Sequence, residues 1–501
     1  MKKTAYLYRM VFPLVVLIFL IRTWFWAMGD ISHDEALTIG MYCRGLDGDT
    51  PPFLSVFRNY TLANNHILST ACYWLWLNIV PWGASSMIVR LPSMLFAVLT
   101  LLVVSVGWRP WLGKRWAALG GVLLASSSIY AAFAYQVRGY SLTMLLSALS
   151  VTAMLKLIST RGKEGQFLLC LTLFLHPLVM PSSAILAPVI ALVMTLVFLK
   201  QKFALRTTLA IVLPGLLSAG LSSAYYLTLG AQLEVAAENA RRNVGFLWNR
   251  WTAYGNVLLA FAVHAGILLV PLAKQLWKPD VPSANRGIVP DAALSNRDLI
   301  LILLGVMLLL ITGMYLLSPP ELLPFPRNAL VFLPLFTFTI LLAGREQRFL
   351  GGSPILLVCG ILLQGFLADT FFSWRSRQLI EQGMRPLSLT MQLYRGANEF
   401  TRIAQMFKEI GLQPQTLIIT QDFDLATLLW HMSALGLDTA NVHSPKTIQG
   451  GMFHTRSGNL PVLIIAQTDA RAHELLQGVR LDPKGCSLLQ AFGRRGLYVL
   501  K

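Results

Sequence analysis

The chain has 501 residues, of which 55% are hydrophobic and 13% charged, and its formal net charge is +18. This apolar content excludes a soluble enzyme and predicts a polytopic membrane protein. The basic residues stand in short loops between apolar runs, which is the positive-inside pattern and argues against a nucleic-acid partner. Five scattered cysteines indicate neither a disulfide framework nor a zinc site.

The first apolar run, residues 11–28, leads to aromatic residues rather than to a small-residue cleavage site, so it predicts a retained span. Arg22 within it is expected to extend to the outer surface. The sequence Ser32-His33-Asp34-Glu35-Ala36 follows this span. Two adjacent carboxylates at a membrane surface need pairing, hydrogen bonding or a chemical use, because an isolated buried charge is costly.

Two interpretations of this acidic pair stay open from the residues alone. Ser32 and Glu35 have the spacing of a capping box, in which Glu35 would be structural. Asp34 would then stay ionised beside a helix N-terminus, where a carboxylate is stabilised. An ionised carboxylate in that place is a candidate general base.

Placing the basic loops in the cytoplasm predicts a mainly α polytopic membrane protein with about eleven spans and a long first outer loop, residues 29–86. A twelfth span at 66–80 would move every later basic loop outside, so this stretch is predicted as a juxtamembrane helix on the outer face. The predicted spans are residues 11–28, 87–107, 116–134, 140–158, 167–181, 183–199, 207–229, 256–273, 299–317, 328–343 and 354–371.

The residues after the last span, 372–501, have a globular composition and predict a small soluble α/β domain. Phe400, Ile403, Ala404 and Phe407 mark one face of an amphipathic helix. Eleven spans place this domain outside the cytoplasm, and residues 1–371 form the membrane domain. Helices are predicted at 424–435 and 470–479, and strands at 416–420, 461–466, 487–492 and 497–500.

Further polar residues are predicted to face the same outer side as the acidic pair. They are Asn65 and His66 at the start of the juxtamembrane helix, Arg138 between two spans, and Arg327 after a proline-rich loop. Guanidinium groups bind phosphate oxygens in bidentate fashion and keep their charge when partly buried. A lone arginine at a span end more commonly contacts lipid headgroups, so each arginine has this alternative.

Several motifs in this order resemble the GT-C membrane glycosyltransferases. The nearest resemblance is to the protein mannosyltransferase/aminoarabinose transferase-like superfamily (glycosyltransferase family 39-like). The motifs that carry it are the acidic pair, the Asn-Asn-His stretch, Arg90-Leu91-Pro92-Ser93, the Arg138-Gly139-Tyr140 motif and Arg327 with its proline-containing span. The family's usual His-Pro-Pro or Lys-Pro-Pro is replaced here by His66-Ile67-Leu68. The resemblance therefore assigns neither the role of His66 nor the sugar.

The resemblance implies roles for the acidic pair and for two of the arginines. Asp34 and Glu35 would supply the catalytic carboxylate, and Arg138 and Arg327 would hold the phosphate of a polyprenyl-phosphate sugar. Residues expected to contact substrate are Asn65, His66, Tyr140 and Glu321.

The expected reaction is the transfer of one hexosyl or pentosyl unit from a polyprenyl-phosphate carrier to a lipid, glycan or protein acceptor. One base and a phosphate leaving group suit inversion by single displacement, because retention would need a second carboxylate as nucleophile. No cofactor, nucleotide sugar or bound metal is implied, and dependence on a divalent metal stays open. The expected location is a bacterial inner membrane, with membrane lipids as further partners.

The main alternative is a polyprenyl-lipid or glycan transporter or flippase without catalysis. Internal repeats and broken helices at the bilayer midplane are typical of transporters, and the two halves of this chain show no obvious repeat. A glycan polymerase or ligase is a second alternative, which would rely on outer-loop arginines without an acidic pair after the first span.

Overall fold

The structure is a computed structural model that describes residues 2–45, 50–60, 65–81, 85–244, 250–277, 295–318, 326–346, 354–381, 399–413, 416–445, 462–466, 469–479, 481–482, 484–492 and 495–500. The chain forms two compact units. The first comprises Met1–Trp26, Arg58–Ser69 and Leu91–Tyr394, and the second comprises Ala27–Phe57, Thr70–Arg90 and Arg395–Lys501. The segment with the acidic pair therefore belongs to the same unit as the C-terminal residues.

Long apolar α-helices dominate residues 2–381, where runs of Leu, Ile, Val and Ala favour helix in a low-dielectric environment. The helices are α1 Lys2–Met28, α2 His33–Thr38, α3 Ser55–Arg58, α4 Ile67–Leu77, α5 Ser86–Val89, α6 Leu91–Leu102, α7 Arg109–Ser126, α8 Ser128–Ala134, α9 Tyr140–Thr160, α10 Lys163–Val179, α11 Leu186–Lys200, α12 Leu205–Ala224, α13 Ala231–Val244, α14 Arg250–Ala265, α15 Leu269–Trp277, α16 Asn296–Leu317, α17 Leu333–Arg345 and α18 Pro354–Glu381.

Seven helical stretches among the described residues are long and apolar enough to cross a membrane, and the bent pair α7 and α8 makes up to eight. The polytopic membrane architecture is thus confirmed, whereas the predicted count of eleven is not. The predicted spans 11–28 and 87–107 coincide with shorter apolar helices, Val11–Trp24 and Leu91–Gly107. The stretch 66–80, predicted as juxtamembrane, contains the eleven-residue helix α4.

A bend of 66° separates α7 from α8 at three consecutive serines. The Oγ of Ser127 caps α8 by accepting from the backbone N–H of Tyr130. Helix α18 approaches this bend so closely that a Cβ placed on Gly365 would lie 2.2 Å from the carbonyl oxygen of Ser126. Arg22, predicted to extend to the surface, here pairs with Asp369 of α18.

We predict that Gly365→Ala destabilises the protein, because its methyl group would meet a backbone atom that cannot move away freely. Overpacking of this kind costs about 1–3 kcal/mol. The matched control is Gly305→Ala in α16, where a Cβ would meet no heavy atom within 4 Å. Thermal unfolding in detergent should show a lower midpoint for Gly365→Ala alone, and equal midpoints for both variants would contradict the close contact.

In the second unit, the C-terminal residues form a five-stranded sheet with the order β2-β1-β3-β5-β4. Strands β1, β2 and β3 are parallel, and β5 pairs antiparallel with both β3 and β4. The strands are β1 Leu417–Thr420, β2 Val442–His443, β3 Val462–Ala466, β4 Cys486–Phe492 and β5 Arg495–Leu500, and the helices are α19 Glu399–Glu409, α20 Asp422–Ala434 and α21 Asp469–Gly478.

The central strands β1 and β3 contribute buried side chains to both faces of the sheet, because alternate strand residues point in opposite directions. Ile418 joins a core with α19 and α20, whereas the next residue, Ile419, joins a separate core with α21. The predicted amphipathic face of α19 is wholly part of the first core. The small α/β domain is thus confirmed, and the two-residue strand β2 was missed because it is too short to show a periodic pattern.

Candidate active site

The acidic pair lies on the short helix α2, which follows the first long helix. Ser32 is its N-cap: the Ser32 Oγ accepts from the Glu35 N–H, and the Glu35 carboxylate accepts from the Ser32 N–H at 2.9 Å. Both hydrogen bonds of a capping box are present, as the sequence spacing indicated. Glu35 is therefore the residue that fixes the start of α2.

Arg90 binds the same Glu35 carboxylate in a fork geometry. Its Nε donates to Oε1 at 2.9 Å and its second terminal nitrogen to Oε2 at 2.7 Å, and both side chains are completely buried. The guanidinium also donates to the carbonyl oxygens of Ala27, Gly29 and Asp30. One arginine thus ties the end of α1, the connecting turn and the start of α2 into one rigid segment.

The two carboxylates of the acidic pair have different surroundings. Glu35 is completely buried and both of its oxygens accept from Arg90, so its contacts are those of a positioning residue. Asp34 is half-buried on the first turn of α2, and its carbonyl accepts from the Thr38 hydroxyl at 3.0 Å. Of the two side chains, Asp34 is the more exposed.

Arg90 had been noticed only as part of a family motif, and its partner was not predicted. The signal available in the sequence was a charged residue at the start of an apolar helix, together with an acidic residue in a capping position. Because a fully buried guanidinium must be paired, these two residues could have been matched by charge.

We predict that Arg90→Met destabilises the protein strongly, because it leaves the Glu35 carboxylate buried without its cationic partner. Removing one member of a buried pair costs about 3–5 kcal/mol. The control is Lys156→Met, which breaks the exposed pair between Lys156 and Glu164 and should cost about 1 kcal/mol or less. Thermal unfolding in detergent measures both, and a similar small loss for both variants would contradict a central role for Arg90.

In the first unit, Tyr140 brings together two of the predicted arginines. The guanidinium carbon of Arg138 lies 5.7 Å from the centre of the Tyr140 ring, and that of Arg327 lies 6.0 Å from it. Tyr140 begins helix α9, and the Ser147 hydroxyl two turns further donates to the Val331 carbonyl at 2.6 Å. This bond fastens the segment Pro326–Phe332, which carries Arg327, against α9.

His66 lies against the same tyrosine, with ring centres 5.6 Å apart. Its Nδ1 is 3.2 Å from the carbonyl oxygen of Val179, which can only accept, so Nδ1 carries the proton. A Cβ on Gly139 would lie 2.9 Å from this nitrogen, so only glycine fits in the Arg138-Gly139-Tyr140 motif. The glycine is required by the approach of the histidine.

The predicted residues of the first unit therefore form a common group, which we call the Tyr140 cluster: Tyr140, Arg138, Arg327 and His66. Arg138 is only 3% exposed, whereas Arg327 is half-buried. Asn65, next to His66, is buried and donates to the Asn59 carbonyl at 2.8 Å. Their predicted contacts with substrate and with Asp34 stay predictions, and Glu321 lies outside the described residues.

The described residues contain no group of three or more His, Cys, Asp or Glu side chains that could hold a metal ion. Among the described residues, two features could take part in catalysis or ligand binding. One is the half-buried carboxylate of Asp34 on a rigid helix start, and the other is the two guanidinium groups beside one aromatic ring. The first can accept a proton, and the second can bind an anion such as a phosphate.

Comparison with known proteins rests on structure alone. No protein-family model matches the chain. No curated protein matches it by sequence. Among solved structures, ArnT from Cupriavidus metallidurans in the apo state has a TM-score of 0.57 and 12% identity, covering 100% of this chain and 99% of that one.

The same ArnT bound to undecaprenyl phosphate is similar as well, with a TM-score of 0.55, 12% identity, and coverage of 99% of this chain and 98% of that one. The similarity extends over the membrane helices and the C-terminal domain alike. The chain therefore has an ArnT-like GT-C fold, as the order of its sequence motifs predicted.

Proposed function

We propose that the protein is an integral membrane glycosyltransferase that transfers a sugar from a polyprenyl-phosphate carrier to a hydroxyl-bearing acceptor on the outer face of the membrane. The observation that carries the proposal is the Tyr140 cluster, in which two arginines far apart in sequence lie against one ring. A structure with this fold has undecaprenyl phosphate bound. Guanidinium groups match the charge and the planar hydrogen-bonding geometry of phosphate oxygens.

In the proposed reaction, the Asp34 carboxylate takes the proton of the acceptor hydroxyl while its oxygen attacks the anomeric carbon. The bond from this carbon to the phosphate oxygen of the carrier breaks, and the polyprenyl phosphate leaves with the electron pair. Negative charge grows on the departing phosphate, and Arg138 and Arg327 stabilise it in the transition state. A single displacement of this kind inverts the anomeric centre.

Glu35 takes no proton in this scheme. Its carboxylate accepts hydrogen bonds from Arg90 and from the backbone of Ser32. The contribution of Glu35 is to hold the helix turn on which Asp34 stands. The rigid turn keeps the base in one orientation, which a general base needs for efficient proton transfer.

We predict that Asp34→Asn lowers transfer by about a hundredfold or more, the usual contribution of a positioned base. Asparagine keeps the size and hydrogen bonding of the side chain, so stability and carrier binding should persist. Asp438→Asn, at an exposed turn of the C-terminal domain, is the matched control. The measurement is turnover of an undecaprenyl-phosphate sugar in membranes, and near-wild-type turnover by Asp34→Asn would remove Asp34 from the mechanism.

The two arginines of the Tyr140 cluster should each be required. We predict that Arg138→Gln and Arg327→Gln lower kcat/KM for the donor by roughly ten- to a hundredfold, because each removes a charged hydrogen-bond donor from the departing phosphate. Arg161→Gln is the control, since Arg161 lies at an exposed turn against Phe203. Unchanged donor kinetics in both cluster variants would assign these arginines to lipid headgroups.

Mass spectrometry of membrane lipids distinguishes the proposed transferase from a transporter. Cells with Asp34→Asn should accumulate the intact polyprenyl-phosphate sugar and lose one glycosylated product that wild-type cells make. A transporter would change the side of the membrane on which the lipid is found, without consuming it. Identical products from wild-type and gene-deleted cells would refute the transferase.

A further inference from the structure

The first helix of the C-terminal domain, α19, is capped by a residue 370 positions earlier in the chain. The Asp30 carboxylate accepts from the backbone N–H of Phe400 at 2.8 Å and from that of Thr401 at 3.2 Å. Helix starts leave such N–H groups without intrahelical partners, and a neighbouring side chain usually satisfies them. Here the cap comes from the turn that precedes α2.

His431 of α20 contacts the same turn. Its Nε2 lies 3.3 Å from the backbone nitrogen of Ile31, which can only donate, so Nε2 is unprotonated. Nδ1 then carries the proton and faces the Thr401 hydroxyl at 3.3 Å, and this hydroxyl donates to Asp30 at 2.6 Å. The three side chains thus form a continuous hydrogen-bonded chain with consistent donors and acceptors.

This series of hydrogen bonds requires the imidazole of His431 to be neutral. Burial lowers the pKa of His431, and the neighbouring Asp30 carboxylate acts in the opposite direction. The His431 side chain is 8% exposed. A neutral, buried imidazole of this kind has one defined tautomer and one orientation.

These contacts act directly beside the acidic pair. Asp30 and Ile31 immediately precede the N-cap Ser32, and α2 itself packs against α20. The Asp30 carbonyl also accepts from Arg90 at 2.8 Å, so one residue is held through both its backbone and its side chain. Arg90 fixes the turn locally, and the C-terminal domain holds the same turn from outside.

We propose that Asp30, Thr401 and His431 are positioning residues, through which the C-terminal domain fixes the helix turn that carries Asp34 for catalysis. This inference rests on the proposed function, because it assigns the domain a part in the same reaction. None of the three residues touches the reacting atoms in this scheme. They act by restricting the movement of α2, and a base misplaced by about 1 Å can cost a hundredfold in rate.

Thr401 allows the mildest test. Thr401→Val has the same shape but removes the hydroxyl that bridges Asp30 and His431, whereas Thr401→Ser keeps it. His431→Phe removes both ring nitrogens, and its matched control is His473→Phe on the exposed side of α21. All variants are made in the full-length protein in detergent.

Two measurements are combined for every variant. Hydrogen exchange followed by mass spectrometry reports the opening of the peptide covering residues 27–45, with peptides from β1 and β3 as a measure of domain integrity. Kinetics with the undecaprenyl-phosphate sugar that the wild type consumes give kcat and KM separately.

The expected result is faster exchange in residues 27–45 for Thr401→Val and His431→Phe, with β1 and β3 still protected. In these two variants kcat falls tenfold or more while KM for the donor stays within about twofold, because neither residue is proposed to bind the carrier phosphate. Thr401→Ser and His473→Phe keep wild-type values.

Unchanged hydrogen exchange in residues 27–45 would overturn the proposed positioning role of Asp30, Thr401 and His431. Faster exchange with an unchanged kcat would overturn its part in catalysis while leaving the transferase intact. A wild type that consumes no polyprenyl-phosphate sugar would refute the proposed function, and the positioning role with it.

Discussion

The buried ion pair between Arg90 and Glu35 is the interaction on which the acidic segment depends. A guanidinium and a carboxylate that are both fully buried are tolerated only when their hydrogen-bonding capacity is used. Here the carboxylate accepts from Arg90 and from the N-cap of α2, and the guanidinium satisfies three carbonyl groups of the preceding turn. These hydrogen bonds offset the free-energy cost of burying the two charges. They also give the start of α2 a single geometry, and Asp34 stands half-buried on this first turn.

Arginines serve different purposes in this chain, and their surroundings distinguish them. Arg90 and Arg495 are each bound to carboxylates in buried pairs, Arg90 to Glu35 and Arg495 to Asp424 and Glu399. These pairs neutralise both charges and hold backbone elements together. Arg138 and Arg327 share an aromatic neighbour, the ring of Tyr140. Both guanidinium groups are positively charged, so a phosphate that contacted both would be stabilised, and this is the physical basis of the proposed phosphate site.

Much of this could be predicted from the sequence, and what could not has a physical reason. Hydrophobic periodicity predicted the helices of the C-terminal domain, and the spacing of Ser32 and Glu35 predicted the capping box, because both are local features of the sequence. The number of spans was not settled, since bends and short helices divide apolar runs that look continuous. The contact of Asp30 with α19 could not be found, because it joins residues 370 positions apart and α19 carries no sign that its cap lies elsewhere. Gly139 was identified as part of a motif, yet its reason, the approach of His66, required coordinates.

The central claim of the proposed function is that the carrier phosphate binds to Arg138 and Arg327. A cryo-electron microscopy structure of the full-length protein with undecaprenyl phosphate tests it most directly. The account predicts phosphate density within hydrogen-bonding distance of both guanidinium groups. Phosphate bound away from the Tyr140 cluster would contradict the account.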